Sequence, residues 1–166
     1  MATPTPIPLL RQREIEAGVI APLVRAFAAE VGDGRAREIV AGVIRELAEQ
    51  GGCAAAVAVG GSDLAHLRRV VDRWREGGAL ELDVLRDDDE ALEFDVVRCQ
   101  FAEMYRRLGL ADLGPVLSCG RDAAMIAGFN PAIHFTRTQT IMEGAPHCNF
   151  RYRAATPPAE SAGTEQ

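Results

Sequence analysis

The sequence contains no lysine, so arginine supplies all 18 basic side chains against 24 acidic ones. The formal net charge is -6 and the isoelectric point is about 5.1. The arginines are not gathered into a basic tract, which is the electrostatic requirement for wrapping a phosphate backbone. A nucleic acid is therefore not expected as a partner.

Long apolar runs are also missing. No segment approaches the roughly 18 consecutive apolar residues of a membrane span. The opening stretch, MATPTPIPLLRQREIE, lacks the charged head and apolar middle of a secretory signal. Both absences predict a cytoplasmic protein without a membrane partner.

Aromatic residues are scarce, at 5%, but hydrophobic residues make up 48% of the 166 positions. A chain of this size and composition is typical of one globular domain with its own core. Three prolines near the start predict a flexible arm over residues 1–7, and the Pro, Ser, Gly and Glu bias of AATPPAESAGTEQ predicts a disordered tail over 154–166. The single domain is expected over residues 8–153.

Apolar spacing predicts three helices in the first half of the chain. The first contains a row of Ile15, Val19, Leu23 and Phe27, and Pro22 is expected to kink or interrupt it. The second is expected to begin at a capping Asp33 and to end near the pair Gly51-Gly52. The third is expected to begin at Ser62 and to stop at Gly77-Gly78.

After the third predicted helix, the spacing of apolar residues changes from the 3.6-residue period of a helix to the two-residue period of a strand. The segments ALELDVL and ALEFDVV alternate apolar and acidic residues on either side of the loop RDDDE, which predicts a hairpin. A short helix CQFAEMYRRLG and a helical region bent near Pro115 follow. A second hairpin is expected from the strands AIHFTRTQTIM and HCNFRYR. We therefore predict an α+β fold with N-terminal helices packed on a mainly antiparallel sheet of about four strands.

Residues able to carry chemistry concentrate between positions 99 and 151. Cys119 and Asp122 are three apart in a helical stretch, so their side chains lie on neighbouring turns, and Cys99 and Glu103 are four apart. In the next predicted strand, the side chains that share one face are those of His134, Thr136, Thr138 and Thr140.

The four cysteines, Cys53, Cys99, Cys119 and Cys148, are interpreted as free thiols or ligands rather than as disulfides. Three interpretations of this region stay open. The thiols are small buried hydrophobes; or a tetrahedral zinc site is formed by Cys99, Cys119, His134 and Cys148; or one thiol is a nucleophile that His134 activates and Asp122 orients.

An ordered set of landmarks resembles a known family, the L-2-amino-thiazoline-4-carboxylic acid hydrolases, over roughly residues 12 to 152. The set begins with EAGVIAPLVRAFAAEVGDGRAREIV and runs on to the segment VVRCQFAEMYRRLG, the spacing Cys-x-x-Asp and the pair Asn-Pro. It ends with the threonine-rich strand and with Gly-x-x-x-Cys-x-Phe at 144–150.

The resemblance implies a hydrolase that opens a small heterocycle at a carbon-nitrogen bond, with a carboxylate-bearing cyclic isothiourea as substrate and a carbamoyl cysteine as product. Cys119 is then the expected nucleophile, Asp122 the carboxylate that binds and activates the amidine-like group, and His134 the acid or base. Cys99 is the expected partner of Cys119.

Substrate binding is expected from Glu103, Thr138, Arg137 and Arg151, with either Arg137 or Arg151 holding the substrate carboxylate. No cofactor is expected, with zinc as the alternative. The competing function is a non-catalytic module that binds a small molecule or a metal through the same cysteines. The apolar first helix could pack on the sheet or on another subunit, so a homo-oligomer is an expectation.

Overall fold

A computed structural model describes residues 7–154 of the chain. The predicted arm and tail lie outside these residues, apart from Ile7 and Ala154. The described residues form six α-helices and four β-strands: α1 (Leu9–Val31), α2 (Asp33–Val59), α3 (Leu64–Trp74), β1 (Leu80–Asp87), β2 (Ala91–Cys99), α4 (Gln100–Arg107), α5 (Gly114–Leu117), α6 (Asp122–Phe129), β3 (His134–Thr136) and β4 (Cys148–Arg153). The predicted α+β class is confirmed.

The sheet is antiparallel throughout, in the order β1-β2-β4-β3. Alternation along β2 turns Leu92, Phe94 and Val96 toward the helices. Phe94 stacks on Phe150 of β4, with ring centroids 5.1 Å apart, and Phe135 of β3 stacks on Tyr152 at 4.9 Å. These rings form the buried face of the sheet, on which α3 and α6 pack.

Pro22 does not end α1, which continues from Leu9 to Val31. Pro22 and Gly18, the residue whose carbonyl loses its helical partner, are both exposed, so water can satisfy that carbonyl. The third helix also begins later than predicted, because Asp63 rather than Ser62 caps it by accepting a hydrogen bond from the backbone N–H of His66 at 2.9 Å.

The prediction that α2 ends near Gly51-Gly52 is wrong, since the helix continues to Val59. The reason is that Gly52 allows α6 to pack closely against α2 and does not end the helix. A Cβ atom at position 52 would lie 2.0 Å from the carbonyl oxygen of Met125 and 2.7 Å from the backbone nitrogen of Phe129, so α6 approaches α2 more closely than any side chain allows.

The predicted strand over residues 132–142 is mostly wrong as well. Only His134–Thr136 pairs with β4, and the chain then leaves the sheet. The side-chain oxygen of Asn149 accepts hydrogen bonds from the backbone N–H groups of Thr138 and Gln139, at 3.0 and 3.1 Å, in place of a further strand ladder. A 3₁₀ turn at Ile141–Glu143 follows.

Two hydrophobic clusters make up the core. One lies between the sheet, α3 and α6, and the other joins α1 and α2 to α4 and α5. Cys99 and Ile141 contact both clusters. The two clusters therefore meet at Cys99 and Ile141. We call this boundary the seam.

Candidate functional site

A cavity of about 110 Å³ opens close to this seam. One wall is apolar and includes Trp74, Leu80, Val96, Met125 and Phe150. The polar end is formed by Arg13, Ser118, Cys119, Arg121, Asp122 and Arg137. A closed apolar cavity of about 150 Å³ binds benzene, so this smaller but partly open space has room for no more than about one ring.

Cys119 and Asp122 are both at the polar end, as their spacing predicted. Cys119 opens a 3₁₀ turn that leads directly into α6, and Asp122 is the first residue of that helix. Pro115 is in the first turn of the preceding short helix, α5, and both Cys119 and Asp122 line the cavity.

Cys99 and Cys148 also line the cavity, but their sulfur atoms already have structural partners. The sulfur of Cys99 accepts a hydrogen bond from the backbone N–H of Ala102 at 3.4 Å and so caps α4. The sulfur of Cys148 accepts one from the N–H of Ile141 at 3.1 Å. Among residues 7–154, no hydrogen bond reaches the sulfur of Cys119, which distinguishes it from the other two thiols of the cavity.

Burial sets the protonation of these thiols. It raises the pKa of Cys119 to about 12, and the carboxyl group of Asp122 contributes in the same direction. Burial likewise raises the pKa of Cys99 to about 11 and raises that of Cys148. All three are therefore thiols at neutral pH, and a nucleophilic role for any of them would require a base to generate the thiolate.

Asp122 is the group with the properties of such a base. Burial raises its pKa to about 6, although the Arg137 guanidinium, which donates a hydrogen bond to the carboxylate, opposes the rise. Carboxyl groups raised into this range are effective general acids and bases near neutral pH.

Three arginines surround the polar end, and their side chains are only 18% (Arg13), 12% (Arg121) and 15% (Arg137) exposed. Arg137 also donates to the backbone oxygen of Cys119 at 3.1 Å and lies over the ring of Phe150. Glu16 pairs with Arg13 at 2.6 Å and with Arg121 at 3.1 Å.

With Asp122 and Glu16 as the neighbouring carboxylates, the polar end keeps an excess of positive charge. Burial accordingly lowers the pKa of Arg121, the expected direction for a cation withdrawn from water. Arg13 and Arg121 were missed by sequence reasoning, because nothing local distinguishes a buried arginine from the many exposed ones.

Two predicted residues from the threonine-rich segment are elsewhere. His134 lies at the start of β3, exposed, with its ring nitrogen 3.5 Å from the hydroxyl of Thr136. Thr138 accepts a hydrogen bond from Asn149 at 2.8 Å. Neither residue lines the cavity.

Glu103 and Arg151 are also separated from the cavity. Glu103 is exposed and pairs with Arg98 at 2.9 Å. Arg151 is on the face of the sheet turned away from the helices, where it donates to Asp95 at 2.8 Å and to the backbone oxygen of Phe94 at 2.9 Å. Of the predicted substrate-binding residues, the structure brings only Arg137 to Cys119 and Asp122.

The residues considered for zinc were Cys99, Cys119, Cys148 and His134. Within the described range, no group of three or more His, Cys, Asp or Glu side chains is arranged to hold a metal ion. His134 is the member of this set that lies outside the cavity. The same residues contain no helix long and apolar enough to cross a membrane.

Comparison with known proteins gives a family and a fold. The model of the L-2-amino-thiazoline-4-carboxylic acid hydrolase family matches residues 12–152. Comparison with curated protein sequences finds no match. A solved structure with a similar fold is the phenol-responsive sensory domain of the transcription activator PoxR with phenol, at a TM-score of 0.51 and 16% identity, over 81% of this chain and 72% of that one.

Proposed function

Because the chain belongs to the L-2-amino-thiazoline-4-carboxylic acid hydrolase family, we propose that it is a hydrolase that opens a small carboxylate-bearing heterocycle by cleaving a carbon-nitrogen bond. The observation that carries the proposal is one cavity that is lined by Cys119, Asp122 and three largely buried arginines. A 2-amino-thiazoline-4-carboxylate is the expected substrate type, and related cyclic amidines are its alternatives.

The cavity matches this substrate class in size, polarity and charge. The apolar wall with Trp74 and Phe150 suits a five-membered ring containing sulfur, and the volume fits one small ring better than a peptide or a nucleotide. The excess of guanidinium groups suits a carboxylate, which arginine binds through two parallel hydrogen bonds. Arg137 is the first candidate, since it already reaches both Asp122 and Cys119.

In the first half of the reaction, the sulfur of Cys119 attacks the ring carbon between sulfur and the two nitrogens. Asp122 takes the thiol proton and passes it to the ring nitrogen as the carbon-nitrogen bond breaks. The substrate carbon is then bound to Cys119 and to its own former ring sulfur. Asp122 here performs the acid-base role predicted for His134, which lies outside the cavity.

In the second half, water attacks the same carbon and gives a proton to Asp122, and the bond to Cys119 breaks. The thiol of Cys119 recovers its proton. The net change is addition of one water molecule, which leaves a carbamoyl group on the former ring sulfur. Because Cys119 is uncharged at rest, the reaction depends on the ionisation of Asp122.

The substrate class is tested by incubating the purified chain with 2-amino-thiazoline-4-carboxylate, its decarboxylated analogue 2-aminothiazoline and a panel of cyclic amidines, with products followed by mass spectrometry. We expect ring-opened product from the carboxylate and much less from the decarboxylated analogue. Equal turnover of both compounds would contradict recognition of the carboxylate by the arginines.

The dependence of kcat/KM on pH is expected to follow the ionisation of the Asp122 carboxyl group. Since the raised pKa is about 6, the carboxylate form needed as a base is lost as pH falls through that value. The ratio kcat/KM is therefore expected to fall about tenfold per pH unit below 6 and to be flat between 7 and 8. A profile that instead rises steadily from pH 7 to 9 would indicate ionisation of a thiol before substrate binds.

Replacing Cys119 with Ala is expected to lower kcat/KM by about 10³-fold or more, because the variant has no nucleophile to form the covalent intermediate. Cys53→Ala is the matched control, since Cys53 is exposed and does not line the cavity. A Cys119→Ala variant within tenfold of the wild type would show that water attacks the substrate directly, with Asp122 alone as the base.

The fold likeness to the phenol-responsive sensory domain favours a second candidate function, a module that binds a small molecule without converting it. The largely apolar cavity is compatible with that function. Stoichiometric binding of panel members in calorimetry, with no product from any of them, would favour the module over the hydrolase.

A further inference from the structure

The first two helices carry large apolar side chains that are exposed instead of buried in the core. On α1 a row spaced four residues apart is about half exposed: Ile15 (49%), Val19 (61%), Leu23 (50%), Phe27 (50%) and Val31 (51%). A similar row on α2 consists of Ile39 (43%), Val43 (52%) and Leu47 (50%). We call these eight residues the hairpin patch.

The two rows lie on helices that pack side by side. The helices are joined by the single residue Gly32, whose positive φ of 87° allows the sharp reversal. Both helices contribute to the same cluster through Ala21 and Ile44, so they lie side by side. In such a hairpin, positions at about the same distance from the joint lie near one another; Leu23 is nine residues before Gly32 and Val43 is eleven residues after it.

The core does not need the hairpin patch. Small residues fill the buried side of α1, namely Ala17, Ala21 and Val24. In the exposed row, Ile15, Val19 and Leu23 are turned more than a quarter of a revolution away from all three. Isolated exposed apolar residues are ordinary, but eight in two aligned rows are not.

The area of the hairpin patch matches one side of a dimer interface. At about half exposure, eight large apolar residues leave on the order of 600–700 Å² in water, whereas the largest patch of a typical monomer is about 300–600 Å². A standard interface buries about 800 Å² per partner. Rim residues that pack around the eight would supply the difference.

The segments outside residues 7–154 contain few large apolar side chains. The residues after Ala154 have the sequence ATPPAESAGTEQ, and those before Ile7 are MATPTP, so Met1 is the single large apolar residue among them. Charges of both signs border the patch, including the pairs Arg35 with Glu38 and Arg25 with Asp112. A surface with an apolar centre and a rim of mixed charge is complementary to itself, as a two-fold interface requires.

We propose that two copies of the chain dock through the hairpin patch, so that α1 and α2 of one copy and of its partner form a four-helix layer about a two-fold axis. The patch begins at Ile15, whereas the cavity contacts α1 at Leu9 and Arg13. Each copy therefore keeps its own complete cavity, and this interface is independent of the proposed catalytic activity.

The test compares the wild-type chain with two double variants, Leu23→Glu/Val43→Glu and Leu23→Arg/Val43→Arg. Sedimentation at about 20 µM is expected to give about twice the chain mass of 17.9 kDa for the wild type and a single chain mass for each variant. Leu85→Glu is the control, since Leu85 is similarly exposed but lies on β1, and it is expected to stay dimeric.

Mixing the Glu and Arg variants shows whether each variant is monomeric because its interface is disrupted or because it is unfolded. Because a two-fold interface brings the patch against itself, the opposite charges meet in the mixture, and dimers are expected to form again. A monomeric wild type overturns the proposal, as does a Glu variant that remains dimeric. Protection of α1 and α2 in hydrogen exchange of a monomeric wild type would assign the patch to the chain's own ends instead.

Discussion

Replacing Asp122 with Asn is expected to lower kcat/KM by about 10²–10⁴-fold, the range for loss of a general acid or base. The amide keeps the shape of the side chain and can still accept a hydrogen bond from Arg137, but it cannot take a proton from Cys119 or deliver one to the substrate nitrogen. The measurement is steady-state turnover of 2-amino-thiazoline-4-carboxylate at pH 7.5, together with the melting temperature.

The melting temperature separates a functional loss from an unfolded variant. Because the folded-state pKa of Asp122 is raised, the folded protein favours the protonated carboxyl group, and the cost of the ionised form grows as pH rises from the ordinary value to about 6. The uncharged amide avoids that cost. The variant is therefore expected to melt no lower than the wild type at pH 7.5.

Asp112→Asn provides the matched control for charge. Asp112 is also paired with arginine, at 2.8 Å to Arg25, but it is exposed and does not line the cavity. Its substitution is expected to leave turnover unchanged. If the two Asn variants had equal turnover, the proposed role of Asp122 would be wrong.

The largest effect on stability is expected from Gly52→Ala, which should lower the free energy of unfolding by about 3 kcal/mol or more. The new methyl group would lie 2.0 Å from the carbonyl oxygen of Met125, a backbone atom that moves only if α6 moves. Since α6 begins at Asp122, the displacement should also reduce turnover in the molecules that remain folded.

Gly51→Ala is the matched control, because a Cβ atom there meets nothing within 4 Å and the two glycines are neighbours in the same helix. Its expected effect is a gain of about 0.5–1 kcal/mol from helix propensity. Urea unfolding of both variants measures the difference. Equal stabilities would show that α2 and α6 are not packed as closely as described.

These two glycines illustrate the limit of the sequence for the fold. Alternation of apolar and acidic residues was sufficient to predict β1 and β2, because that pattern is local. The Gly51-Gly52 pair looks the same whether it ends a helix or admits a second helix, and the choice depends on α6, which is about 70 residues away along the chain. The early end of β3 has a similar cause. The backbone N–H of Thr138 donates to the side-chain oxygen of Asn149, on β4, instead of to a neighbouring strand.

For the site too, the sequence predicted only those associations that are local along the chain. Cys119 and Asp122 could be associated because they are close in sequence and on adjacent turns. Arg13 could not, since α1 is brought to this turn only by tertiary packing. Arg121 is adjacent to Asp122 in sequence, but nothing in the sequence distinguishes it from the exposed arginines. His134 was included on the assumption of a long strand with a polar face, and the structure ends that strand at Thr136.

The central claim is that the cavity around Asp122 is a hydrolytic site for a small carboxylate-bearing heterocycle. It is tested most directly by measuring binding and turnover of 2-amino-thiazoline-4-carboxylate on the same preparations of the wild type and of Asp122→Asn. We expect both proteins to bind the compound, and only the wild type to convert it to carbamoyl cysteine. Binding by both proteins with conversion by neither, or equal conversion by both, would contradict the claim.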